Sequence, residues 1–115
     1  QPQSAFLASN LVLDVLRANK NRWRTSIHQM RGTFVDGRDA SDNGSVEIRM
    51  DIVFYGANSA EATRAYEQFR SEVEKQTTWF VKLDEKPTKE LATGDGIIVE
   101  GLTIGVDTTK VVSGI

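Results

Sequence analysis

The chain has 115 residues, 39% hydrophobic and 26% charged, with a net charge of −2. That is one domain of ordinary globular composition, 1–115, long enough to bury a real core, and its charge balance argues for no particular partner. There are no cysteines, which excludes disulfides, thiolate chemistry and cysteine-ligated metals, and no stretch approaches the roughly 20 apolar residues of a membrane-spanning helix.

Ser4 to Lys20 reads as a helix. Phe6, Leu7, Leu11, Val12, Val15 and Leu16 cover a broad apolar arc with Asp14 and Arg17 outside it, the pattern of a helix set against a sheet. Asn19 and Asn21 are the candidates for a left-handed residue at its end. Arg22 to Val35 is strand-like, with Trp23, Thr25 and Ile27 on one face. Met30 and Phe34 then fall on the opposite parity, and a one-residue slip of this kind predicts a β-bulge near His28–Gln29. Asp36 to Gly44 is a polar stretch with Asp-Gly and Asn-Gly signals, joining two antiparallel strands.

The clearest pattern in the chain follows. Val46, Ile48, Met50, Ile52 and Phe54 alternate with Glu47, Arg49, Asp51 and Val53, so a strand with one buried and one wet face is expected. Gly56 breaks it. Asn58 is the expected N-cap, with Glu61 three residues on in the manner of a capping box. Ala62, Ala65, Tyr66, Phe69 and Val73 make one apolar helical stripe, ending near Gln76.

Thr77 to Leu83 is the third strand, with Trp79, Val81 and Leu83 on one face and Phe80 and Lys82 on the other. Asp84 to Gly96 is a charged loop containing Pro87, with a short helical turn expected at Thr88–Leu91. Ile97 to Asp107 is the fourth strand, in which Gly101 marks a bulge or bend. Thr108 to Ile115 reads as a frayed tail.

The order α-β-β-α-β-β predicts an α+β two-layer sandwich: a four-stranded antiparallel sheet with two helices on one face, circularly permuted relative to the ferredoxin-like order. Its helix-free face is expected to carry Arg22, Arg24, Ser26, His28, Glu47, Arg49, Asp51, Val53, Tyr55, Phe80 and Lys82. Val53, Tyr55 and Phe80 would form an apolar spot at one end.

Little in the chain points to chemistry. His28 is the single histidine, mid-strand, with Asp51 as its nearest prospective partner and no nucleophile in a recognisable setting. Asp36, Asp39 and Asp42 depart from a calcium loop, since Arg38 stands where a ligand is needed. Gly94-Asp-Gly96 lacks the Lys and Ser or Thr of a phosphate loop. RNA-recognition signatures are absent. Residues 1–35 hold five Lys or Arg against one Asp, and Arg17, Lys20, Arg22, Arg24 and Arg31 read as a solvated face. No catalytic, cofactor-binding or metal-binding residue is assigned, and no nucleic-acid partner is expected.

Leu11-Val-Leu-Asp-Val-Leu16, Trp23-Arg-Thr-Ser-Ile27 and Val46 through Gly56 come in a particular order. Asn58-Ser-Ala-Glu61, the helix through Phe69, and Trp79-Phe-Val-Lys-Leu83 complete it. From Leu11 to Val106 this order resembles the periplasmic domains of bacterial pilus-assembly and type II secretion inner-membrane proteins, the PilN/PilO and GspL/GspM group. The resemblance implies a non-enzymatic scaffold domain without catalytic residues. Such a domain pairs with itself or with homologous envelope-complex proteins, on the periplasmic side of the inner membrane. It also implies an upstream membrane anchor, in keeping with a chain that begins at Gln1 and is expected to be a fragment or a processed product. No membrane helix or coiled coil precedes the domain in this sequence, and the Asp36–Gly44 stretch is long for the group. Candidate interface residues are Leu7 and Leu11 on the first helix and Tyr55 and Phe80 on the open sheet face. The alternative is a small-molecule regulatory domain of the ACT kind, which shares the layout. The stretch Asp36–Gly44 counts against it, because it joins two strands where ACT domains have a glycine-rich strand-to-helix turn.

Overall fold

The alternation from Val46 to Phe54 forms an interior strand of the sheet, and each of its inward residues is no more than 1% exposed. The computed structural model describes residues 2–35 and 45–109. The elements are α1 (Pro2–Ala18), β1 (Arg24–Val35), β2 (Ser45–Tyr55), α2 (Ser59–Glu74), β3 (Phe80–Asp84), β4 (Thr88–Glu90) and β5 (Gly96–Val106). All strand pairings are antiparallel. The sheet order is β1-β2-β5-β3, and β4 pairs with β5 beyond the end of β3.

The sheet therefore has five strands where the sequence predicts four. β5 spans eleven residues and β3 only five, so β3 covers part of the outer edge of β5 and leaves the rest open. Pro87 has no N–H to give to a ladder and separates the two segments. Thr88–Glu90, expected as a helical turn, then pairs with Ile97–Val99 as β4. The turn that returns the chain is closed by Leu91 N–H to Gly96 O at 3.0 Å and Gly94 N–H to Leu91 O at 2.9 Å.

Both helices lie on one face of the sheet and share a single core. α1 contributes Ala8, Val12, Val15 and Leu16; α2 contributes Ala62, Tyr66, Phe69 and Val73; β5 contributes Ile97, Val99, Leu102, Ile104 and Val106. Aromatic rings tie the layers together. Trp23 meets Phe69 edge-on at 6.0 Å, and Phe54 lies 5.6 Å from Tyr66 and 5.7 Å from Phe69, within the range of favourable ring contacts. α1 approaches β1 closely at Gly32, where an added Cβ would meet Ala5 Cβ at 2.9 Å.

The helix termini follow local chemistry. Asn58 Oδ1 accepts from Glu61 N–H at 2.9 Å, and Glu61 Oε1 accepts from Ala57 N–H at 3.2 Å, a reciprocal cap shifted one residue from the usual box. α1 ends without a left-handed asparagine, because neither Asn19 nor Asn21 has positive φ. Instead Asn19 Nδ2 donates to Val15 O at 2.8 Å, which satisfies a terminal carbonyl through the side chain. Thr108, assigned to the frayed tail, is buried. The Asp36–Gly44 stretch with Asp36, Asp39 and Asp42, and residues 110–115, lie outside the described residues.

Tyr66 is a polar residue in an apolar setting. Its hydroxyl has no hydrogen-bond partner among the described residues; the Lys86 backbone approaches it without reaching bonding geometry. Burial pushes its pKa above the ordinary 10.0, against the pull of the Arg70 guanidinium and with a further push from Glu85. The unfolded chain therefore releases this proton first. The stability Tyr66 contributes is fully present below about pH 10 and falls as pH rises from there through the folded-state value. Tyr66→Phe is expected to remove that alkaline loss. At neutral pH it is expected to be neutral or to stabilise by up to about 1 kcal/mol, since it deletes an unpaired buried hydroxyl. Urea unfolding at pH 7 and at about pH 10.5 checks both.

Candidate functional site

β2 alternates without interruption, and the helix-free face of the sheet is built on its outward residues. Across it, Arg24 stands opposite Tyr55, Ser26 opposite Val53, Gln29 opposite Asp51, Arg31 opposite Arg49 and Thr33 opposite Glu47. On its other side lie Gly96, Ile98, Thr103 and Gly105 of β5. Both neighbours change register at the same level. β1 slips between Ile27 and Gln29, leaving His28 without a partner, as the sequence parity predicts. β5 slips between Val99 and Leu102, so Glu100 and Gly101 together oppose Asp51.

Asp51 fixes the second bulge. Its Oδ1 accepts from Gly101 N–H at 2.8 Å, and Gly101 has φ +76°, a conformation glycine adopts at no steric cost. Asp51 is thus a structural acceptor. A catalytic pairing with His28 does not form, for His28 makes no ion pair within 4.0 Å among the described residues. No group of three or more His, Asp or Glu among the described residues is placed to hold a metal. A hollow of about 490 Å³ opens beside Asp51, lined by Gln29, Arg31 and Arg49. Farther along, Lys82 Nζ lies 3.3 Å from Glu47, and Lys89 Nζ lies 3.0 Å from Glu100.

Two residues expected on this face are elsewhere. Phe80 pairs with Val106 and packs against the core. A bulge at Val81 reverses the parity of β3, so Phe80 and Leu83 face inward and Val81 is 50% exposed. Arg22 precedes β1 and turns toward α2, donating to Asn19 Oδ1 at 2.8 Å and lying 3.7 Å from Glu72. The apolar spot is therefore Val53, Tyr55 and Ile98. Val53 is only 1% exposed, and the Arg24 guanidinium lies over the Tyr55 ring at 5.0 Å, so little of the spot is free to meet a partner.

The first helix divides in a similar way. Leu11 packs against the core and faces Glu72, Gln76 and Trp79 on the α2 side, while Leu7 is half-buried. Phe6 is 72% exposed. Phe6 and Leu13 are seven residues apart and share the flank of α1 that faces away from α2. That flank overhangs β1, whose outer edge has no strand partner among the described residues. Phe34 at 40% and Val35 at 37% exposure close the same edge. The sequence assigned Phe6 to the buried arc and gave no sign of Phe34, because an apolar residue at an edge has the same pattern as one at the centre.

Comparison with protein-family models, with curated proteins and with solved structures finds no match for this chain.

Asp51→Ala is expected to destabilise the protein by about 1–3 kcal/mol, the cost of leaving the Gly101 N–H unpaired in the sheet. Asp51→Asn keeps an acceptor and is expected to cost less than about 1 kcal/mol. Urea denaturation of the two variants side by side separates the hydrogen bond from the charge.

Proposed function

We propose that this domain is a non-enzymatic interaction module that pairs with itself or with a related domain in a bacterial envelope complex of the pilus-assembly or secretion kind. In this reading it acts on the periplasmic side of the inner membrane, held there by an upstream anchor. The observation that carries it is the outer edge of β1, overhung by an exposed apolar helix flank. An unpaired strand edge presents a row of N–H and C=O groups that a second strand can complete. The bulge at His28 interrupts this edge, but Gln29 to Val35 forms an unbroken seven-residue run beyond it. Phe6, Leu13 and Phe34 supply the apolar contact that backbone pairing alone lacks.

The strand order lends this reading support. Moving the first strand of a β-α-β-β-α-β ferredoxin-like domain to its end gives an α-β-β-α-β-β chain with strand order 1-2-4-3. The order β1-β2-β5-β3 is consistent with it if β4 is taken as an addition to the edge. The interface shifts from the residues first expected: Phe6 and Phe34 replace Phe80 and Leu11, which serve the core.

Sedimentation equilibrium over a wide concentration range tests the module directly. A concentration-dependent dimer is expected, weakened about tenfold or more by Phe6→Asp and by Phe34→Asp and little changed by Tyr55→Asp. A dimer insensitive to Phe6 and Phe34 removes β1 from the interface, and a strict monomer that also fails to pair with a related domain removes the proposal.

One observation favours the ACT-like alternative, the hollow beside Asp51 in which Arg31 and Arg49 stand directly opposite each other. Like charges so placed repel, and a small carboxylic acid between them relieves the repulsion. On that reading, amino acids or dicarboxylic acids raise the melting temperature of the protein, and Arg49→Ala abolishes the shift.

A further inference from the structure

The turn between α1 and β1, the end of β2 and the outer side of α2 meet at one end of the molecule. Two adjoining hollows of about 530 and 240 Å³ share Arg22, Trp23, Tyr55 and Glu61. Lys20 and Arg24 line the larger and Arg64 the smaller. Four cations thus converge with one carboxylate, on a chain whose net charge is −2. Arg22 is held by Asn19 and Glu72. Lys20, Arg24 and Arg64 are exposed and form no ion pair within 4.0 Å among the described residues. Clustering like charges costs stability through mutual repulsion and raises the local concentration of anions.

The surroundings narrow the kind of anion. Nucleobases bind by stacking on bare rings, but the Arg24 guanidinium covers Tyr55 and the Arg22 guanidinium covers Trp23, each at 5.0 Å. Trp23 is moreover 4% exposed. Phosphate groups favour the open amides of a helix start, but the only first-turn residue lining the hollows is Glu61, and its N–H is taken by the Asn58 side chain. What remains is three exposed cations on a turn, a strand and a helix, spread along one cleft. Cations carried by three different elements suit separate carboxylates on an extended chain better than one compact anion.

We propose that this cleft binds an acidic peptide segment of a partner protein, its carboxylates paired with Lys20, Arg24 and Arg64. The site is at the far end of β1 from Phe34 and does not depend on pairing through the β1 edge.

Fluorescence anisotropy with a short labelled peptide of alternating Glu and Gly tests this. Binding to the intact chain is expected, falling steeply as added salt shortens the Debye length. Arg24→Glu with Arg64→Glu is expected to weaken it about tenfold or more, whereas Lys86→Glu, in the exposed connection between β3 and β4, leaves it unchanged. Lys20→Glu, in an exposed turn, is expected to weaken binding severalfold without touching Tyr55, which guards against misreading a folding defect. Binding by the double and Lys20 variants equal to that of the intact chain, or an equal loss with Lys86→Glu, overturns the site. Tighter binding of single-stranded RNA or pyrophosphate than of the peptide overturns the ligand class.

Discussion

The uninterrupted alternation of β2 is the constraint on which the rest of the structure depends. Five inward residues from Val46 to Phe54 are sealed from solvent, and a slip of one residue would turn them all to the wet face. Both neighbouring strands change parity, β1 at His28 and β5 at Glu100–Gly101, and both do so opposite Asp51. Without these bulges, either Thr25 and Ile27 or Met30 and Phe34 would face away from the helices, and β5 would split in the same manner. Asp51 holds one of the two bulges directly through the Gly101 amide. Its charge, which on a wet strand face invites a catalytic reading, serves the register of the sheet.

That constraint shapes the molecule beyond the core. The sheet is closed at its centre and open at its margins. β3 and β4 share one margin as two short strands, broken at Pro87 and bulged at Val81. Short and bulged strands are the usual protection of an edge against unwanted pairing. β1 forms the other margin, long and bulged only near its start, and it is there that α1 leaves Phe6 exposed. Among the described residues, one edge of the sheet is thus protected and the other is not.

Charge is distributed with the same unevenness. Acidic residues outnumber basic ones along the chain, yet the turn after α1, the start of β1 and the outer side of α2 bring cations to one cleft. Lys20, Arg22 and Arg24 are close in sequence, but Arg64 joins them only because α2 packs over the end of β2. A basic run that reads as a solvated face becomes a concave site once a fourth cation arrives from another element.

The sequence by itself determined the elements that rest on local periodicity. The β2 alternation, the α2 stripe of Ala62, Tyr66, Phe69 and Val73, the Asn58 cap, the slip at His28 and the bend at Gly101 are all legible, because each is written in residues a few positions apart. Only the tertiary structure decided what depends on neighbours distant in sequence. Val81 and Phe80 exchange faces because β3 must follow β5. Thr88–Glu90 becomes a strand because β5 leaves an open edge there. Phe6 and Leu11 part company because α2 covers one flank of α1 and nothing among the described residues covers the other. Local pattern tells a residue that it belongs on a face. Which face is buried, and which edge stays open, is settled by the packing of whole elements.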